Sequence, residues 1–263
     1  LICGKGGSGK STVASLLARN LEKKGYRILV VDADESNFGL SAQLGLRDPT
    51  ELLDQIGGRK GVFGRKRAVK SAGEKPPFFT ESWSIEEIPA EYISQKGSLY
   101  LLQIGKVKHF GEGCACAMGG LSRDFLQRLR LSPNDIAVID TEAGVEHLGR
   151  GVASSVDLIY VVVDPSYEAI KLAEKISCMA KEARKSAYFI LNKVDNKLAE
   201  KIMAKVGKER VIGVIHFSKP AQEKGLTGEA LDLNMPGVDE VADFTLKAII
   251  TQQPKTTKKP ENS

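Results

Sequence analysis

Gly4-Lys5-Gly6-Gly7-Ser8-Gly9-Lys10-Ser11-Thr12 follows the short apolar run Leu1-Ile2-Cys3 and precedes a stretch in which Val13, Leu16, Leu17 and Leu21 recur at helical spacing. A strand that turns through glycines directly into a helix is the context in which G-x-x-x-x-G-K-[ST] acquires meaning. The glycines let successive backbone N–H groups curl round a phosphate chain, and the helix N-terminus adds its partial positive charge. Lys10 is placed to reach the β- and γ-phosphates, and the Ser11 hydroxyl to hold Mg²⁺. Gly6, Gly7, Ser8, Gly9 and Thr12 complete the expected cradle.

Outward from this loop the chain alternates short β-branched runs with amphipathic stretches of helical length. Arg27-Ile28-Leu29-Val30-Val31-Asp32 is an apolar strand with a charge at each end, and Gly25 before it stops the first helix. Further strands are predicted at Leu99–Gln103, 136–140, 158–163, 187–191 and 211–214, and helices at 121–131, 167–184, Asn196–Val206 and 238–250. Strands apolar throughout are buried on both faces, which points to an α/β fold with a doubly wound, mostly parallel sheet flanked by helices. Residues 1–251 are expected to form this single P-loop domain. Pro76-Pro77 and Trp83 break the rhythm, and 57–97 reads as an insertion because the alternation resumes after it. Residues 252–263 read as a disordered polar tail.

At 263 residues with 42% hydrophobic and 27% charged side chains, the composition is that of an ordinary globular chain. No apolar run approaches the ~20 residues of a membrane span. The lack of an initiator Met implies a first strand cut short, and no secretory leader opens the chain. Four cysteines do not make a disulfide scaffold. The net charge of +5 is concentrated: between Gly57 and Lys75 seven basic residues face one acid. Such a block is either a solvated surface segment or a contact for nucleic acid or an acidic protein. Its near lack of base-stacking aromatics speaks against nucleic acid.

Carboxylates gather where strands are expected to end. Asp32-Ala33-Asp34 closes the second strand, at the edge where ligands of open α/β sheets bind. A carboxylate there can hold water or Mg²⁺, or cap the next helix. Ile136-Ala137-Val138-Ile139-Asp140 is an apolar strand ending in an acid, the form in which an aspartate binds Mg²⁺ directly or through its waters. Asn192-Lys193-Val194-Asp195 has the look of a base-reading segment, with Asn192 as its reader and Asp195 open between a guanine contact and none.

Lys5, a second lysine at the head of the loop, gives Lys-Gly-Gly-x-Gly-Lys-Ser. That pattern resembles the deviant Walker A loop of the ATPase class containing MinD- and ParA-type proteins and the nitrogenase iron protein. The resemblance implies a homodimer in which Lys5 reaches the partner's ATP, with Lys5 and Lys10 acting on the phosphates. It puts Asp34 in the switch I position that orients the attacking water, and Thr141-Glu142-Ala143-Gly144 in switch II. It favours adenine as the base met by Asn192.

Gly113-Cys114-Ala115-Cys116 sets two thiols one residue apart beside glycines, expected in a loop between a strand and a helix. Two thiolates are half of a soft-metal site, and a two-fold axis would supply four. With the loop, this pair and Glu146-His147-Leu148-Gly149-Arg150-Gly151 resemble the CooC family of accessory ATPases that mature nickel-containing carbon monoxide dehydrogenase. The resemblance runs from Gly4 to about Ile250 and departs from the family at the basic block. It implies ATP-driven dimerisation that forms a Ni or Zn site at Cys114 and Cys116, with that dehydrogenase as client. The alternatives are an iron–sulfur electron-transfer ATPase and a spatial organiser of the MinD or ParA type. For an organiser, the polar tail speaks against membrane attachment. Cys3 and Cys178 read as small core residues, His147 as a neighbour of switch II or a surface group, and His109 as a marginal extra ligand. ATP use, free thiols and no leader imply a cytoplasmic location.

Overall fold

β1 (Ile2–Gly4) runs through the glycine loop into α1 (Lys10–Lys23), and β2 (Arg27–Ala33) follows, all within a computed structural model that describes residues 1–58, 61, 77–107, 115–149 and 151–252. Short helices α2 (Leu40–Leu44) and α3 (Leu52–Gln55) come next, then β3 (Ser94–Lys96), β4 (Leu99–Gln103), α4 (Ala115–Arg128), β5 (Asp135–Thr141) and α5 (Glu146–Gly149). The remainder is β6 (Ile159–Val163), α6 (Tyr167–Glu182), β7 (Ala187–Val194), α7 (Asn196–Val206), β8 (Val211–His216), α8 (Lys219–Thr227) and α9 (Pro236–Gln252).

The eight strands make one sheet in the order β3-β4-β2-β5-β1-β6-β7-β8, parallel except for the β3–β4 pair. Alternate residues of each strand face opposite layers. Leu29 and Val31 join Ile139, Val161, Phe189 and Leu191 on one face, while Ile28 and Val30 join Val13, Leu17, Leu21 and Val138 on the other. This double burial is why the central strands carry apolar residues at nearly every position.

The order also makes the site. The chain leaves β1, skips a place to build β2, and returns to fill the gap with β5. β1 and β5 therefore lie side by side with the glycine loop at their C-terminal ends, at the crevice such a reversal opens.

The segment expected as an insertion divides. From Phe79 onward it is built into the domain: Phe79, Trp83, Ile85, Ile88 and Tyr92 are buried, and Ser94–Lys96 forms the antiparallel edge strand. The Phe79 and Trp83 rings lie 5.3 Å apart, and Trp83 stands 6.2 Å from Phe125 of α4. Residues 59–60 and 62–76, with most of the basic block, lie outside the described residues, as do 253–263 of the expected tail.

Two expectations need correction. The helix predicted from 121 begins at Ala115, so Cys116 lies in its first turn and not in a loop. Gly119 and Gly120 are helical; Gly120 lies against the Phe78 ring, where a Cβ would stand 3.4 Å from the nearest ring carbon. Cys178 is exposed: Ala169, Ile170, Ala173, Ile176 and Ala180 form the buried stripe of α6, and position 178 falls outside it. Cys3 is buried as expected, and burial pushes its thiol up to about 12.

Candidate active site

Register explains how distant acids come together. In the parallel β2–β5 pair Asp32 stands opposite Asp140, and Gln103 flanks Asp32 on the other side. Opposite residues of parallel strands point to the same face, so both carboxylates belong to one row at the C-terminal edge of the sheet. Gly4 ends β1 beside them with φ +147°, and a Cβ there would stand 2.6 Å from the Val162 carbonyl oxygen. The loop then folds back through the Ser8 N–H to the Lys5 carbonyl at 3.2 Å. Gly9 caps α1 in the left-handed region, where a Cβ would run into the Asn192 amide.

Asp140 is fully buried, and its Oδ2 accepts from the Ser11 hydroxyl at 2.5 Å and from the Asn37 amide at 3.3 Å. The Asn37 amide also donates to Ser11 Oγ at 2.8 Å. The other oxygen, Oδ1, is buried with no hydrogen-bond partner among the described residues. Burial pushes the Asp140 carboxyl up to about 7; the Ser11 hydroxyl opposes the shift and nearby Asp32 adds to it. A buried carboxylate with one open oxygen, bonded to the hydroxyl that P-loops use for Mg²⁺, fits that cation by chemistry and position. Within the loop, Ser8 Oγ is likewise buried without a partner among the described residues.

Lys10 is buried, and its ammonium curls back to the Lys5 carbonyl at 3.5 Å. Lys5 itself is held within its own chain, its Nζ 3.4 Å from the Asp164 carboxylate at the end of β6. Asp34 is buried, and its Oδ1 accepts from both the N–H and the hydroxyl of Ser36, at 2.9 and 2.6 Å. Its place on the loop after β2, beside the Asp140 row, keeps it within the same crevice.

The 141–144 segment closes over the loop from the other side. The Gly144 N–H donates to the Gly4 carbonyl at 3.1 Å, and the Glu142 N–H to His147 Nε2 at 3.1 Å. His147 is buried, which removes the surface reading, and it acts as the neighbour of switch II. The Asn192 amide donates to the Ser8 carbonyl at 2.8 Å, and the Lys193 ammonium to the Gly7 carbonyl at 2.8 Å. β7 thus braces the phosphate loop from behind, with Lys193 in the left-handed region at φ 60°. Asp195 caps α7, its carboxylate accepting from the Leu198 N–H at 2.8 Å.

The expected residues of the phosphate site, Lys5 to Thr12 with Asp34, Asp140 and Asn192, therefore converge on one edge of the sheet. Cys114 and His109 lie outside the described residues; Cys116 is described only as part of the α4 backbone. Among the described residues no three His, Cys, Asp or Glu side chains form a metal-sized cluster, and no helix is long and apolar enough to cross a membrane. Sequence reasoning missed Asn37, Lys106 and Asp164, and gave Lys193 no role of its own within the segment from Asn192 to Asp195. Asp164 was within reach of it, because an apolar strand ending in Asp-Pro repeats the pattern that singled out Asp140.

Residues 1–231 match the family described as the CobQ/CobB/MinD/ParA nucleotide binding domain. An uncharacterized ATP-binding protein of Methanocaldococcus jannaschii is 43% identical, covering 94% of this chain and 98% of that protein. The carbon monoxide dehydrogenase accessory protein CooC of Rhodospirillum rubrum is 32% identical over 69% of this chain and 68% of its own length. Among solved structures, MinD in the MinC:MinD cell division complex of Aquifex aeolicus superposes with a TM-score of 0.62 at 20% identity, covering 94% of each chain. The cell division ATPase MinD of Pyrococcus furiosus gives 0.62 at 19% identity, over 94% of this chain and 96% of that one. At these identities the two structures speak for the fold alone.

Proposed function

The chain belongs to the CobQ/CobB/MinD/ParA family of ATP-binding P-loop ATPases, and from that premise we propose that it is an ATP-driven metallochaperone for nickel-containing carbon monoxide dehydrogenase. In this reading ATP brings two chains together, and Cys114 and Cys116 of each supply four thiolates to one Ni or Zn ion as cargo. Hydrolysis loosens the pair and releases the metal. The observation that carries the reading is the Cys114-Ala115-Cys116 pair of the sequence, in a chain related to a protein named for service to that dehydrogenase.

The site residues divide the work. Lys10 and the loop amides hold the phosphate chain, and Asn192 meets the adenine side while bracing the loop. Ser11 and Asp140 hold Mg²⁺, which when bound offsets phosphate charge and orients the γ-phosphate. Asp34 orients the attacking water. Lys5, parked on Asp164 in the single chain, is freed on pairing to offset charge developing on the partner's transferring oxygens.

Anaerobic titration of the reduced, metal-free protein with Ni²⁺ in the presence of a non-hydrolysable ATP analogue tests this. One metal per two chains, lost in Cys114→Ala/Cys116→Ala, is expected; stoichiometric binding in that variant contradicts the thiolate site. A persistent broad visible band after iron–sulfide reconstitution favours the electron-transfer alternative. The organiser reading draws on the MinD-like fold; salt-sensitive binding to nonspecific duplex DNA would favour its ParA form.

A further inference from the structure

Lys106 follows β4 and belongs to none of the motifs above, yet among the described lysines only it and Lys10 are buried. Its ammonium stands 2.5 Å from the Asp32 carboxylate, which is itself fully buried. The same nitrogen donates to the Asp34 carbonyl at 2.7 Å and to the Asn37 carbonyl. An ammonium has three donors, and these three contacts fall on the last residues of β2 and the loop that follows it, residues 32–37. The Lys106 backbone is fixed as well: its N–H donates to the buried Glu51 carboxylate at 3.0 Å. On either side, the Ile104 N–H meets the Asp32 carbonyl at 2.9 Å and the Val107 N–H meets the Glu35 carbonyl at 3.1 Å. The exit of β4 therefore runs beside switch I as a continuous ladder, with Lys106 as its central pin.

What is pinned matters for the chemistry. The side chain of Asn37 reaches Ser11 and Asp140, and Asp34 carries the carboxylate assigned to the attacking water. Lys106 also supplies the counter-charge to the buried Asp32. We propose that Lys106 is a positioning residue for ATP hydrolysis: it holds the carbonyls of Asp34 and Asn37 on one ammonium and so fixes switch I against the Ser11–Asp140 pair. In this proposal the lysine acts through these two residues. This inference rests on hydrolysis at the loop with Asp34 orienting the water, and is independent of the metal held by the cysteines.

Steady-state Mg²⁺-dependent ATPase assays on the full chain test it, with Lys106→Met, the double variant Asp32→Asn/Lys106→Met, and Asp34→Ala alongside the unaltered protein. Lys106→Met removes the pin but strands Asp32 as a buried charge; the double variant removes the pin and both charges together. The expected result is a kcat lowered roughly 10- to 100-fold in both lysine variants, as for a small misplacement of reacting groups. The KM for ATP stays within about threefold, because Lys10 and the loop are untouched. The double variant is expected to fold like the unaltered chain by thermal denaturation and still to stay slow. A double variant with normal kcat would reduce Lys106 to a counter-charge and overturn the proposal. Normal kcat in Lys106→Met, a raised KM with unchanged kcat, or a double variant that fails to fold would also overturn it. An Asp34→Ala protein that hydrolyses ATP at the normal rate would instead refute the hydrolysis reading on which the proposal stands.

Discussion

Asp32 and Asp140 stand opposite each other in one row of the sheet, both fully buried, and the molecule treats them in opposite ways. Asp32 is answered from within by the Lys106 ammonium. Asp140 receives a hydroxyl and an amide on one oxygen and, among the described residues, nothing on the other. Burial raises both carboxyls, to about 6 for Asp32 and about 7 for Asp140; Asp32 is opposed by the directly bonded Lys106 ammonium, Asp140 by the Ser11 hydroxyl and the more weakly acting charge of Lys10. The difference teaches which acid serves the fold and which awaits a ligand. A carboxylate neutralised by its own chain is finished; one left open in a polar crevice beside a P-loop serine is a seat for a cation.

The comparison breaks most visibly under Asp32→Asn. That change strands the Lys106 ammonium in the interior and is expected to cost roughly 3–5 kcal/mol of stability, read as a fall in denaturant midpoint. Asp140→Asn should behave in the reverse sense. It removes a buried, half-satisfied charge, so the ligand-free chain keeps its stability or gains some, while Mg²⁺-dependent hydrolysis falls on the order of 10²–10³-fold. If the two variants exchanged these phenotypes, the assignment of roles within the row would be wrong.

A pH series sharpens the same contrast. Asp140 holds its proton up to about pH 7 in the folded chain, whereas unfolded it releases it near the ordinary aspartate value of 3.8. Its contribution to the stability of the ligand-free protein is therefore full below pH 3.8 and lost as pH rises toward 7, with a slope of up to about 1.4 kcal/mol per pH unit. Asp140→Asn should flatten that part of the profile. Mg²⁺ binding should release protons below pH 7 and strengthen as pH rises to that value, which calorimetry in buffers of different ionisation enthalpy can measure. The smallest effect belongs to the exposed thiol: Cys178→Ser should change stability by less than about 0.5 kcal/mol and leave metal stoichiometry untouched.

What was legible in the sequence follows from how local each cause is. The strand–glycine–helix turn, the apolar strands and the acid ending β5 are contiguous patterns, and the structure places Lys10, Ser11 and Asp140 where those patterns led. Lys106 had no such signal. Its partner Asp32 lies 74 residues earlier in the chain, and the two meet only because β4 pairs with β2, a fact of topology that no window of sequence contains. Cys178 was misread because its neighbours are apolar; the phase of α6 leaves it outside the stripe from Ala169 to Ala180. The early start of α4 was hidden by Gly119-Gly120, residues of low helix propensity, the second of which packs against Phe78. The same holds for 79–97, where proline and 3₁₀ turns obscure a run of buried aromatics and an edge strand.

The most direct test of the account is the Ni²⁺ affinity of the full chain measured twice under reducing, anaerobic conditions, once with Mg²⁺-ADP and once with Mg²⁺ and a non-hydrolysable ATP analogue. A nucleotide-gated carrier predicts binding at least about tenfold tighter with the analogue, a coupling of about 1.4 kcal/mol, and no such gain in Lys5→Ala. Equal affinity in the two nucleotide states would contradict it.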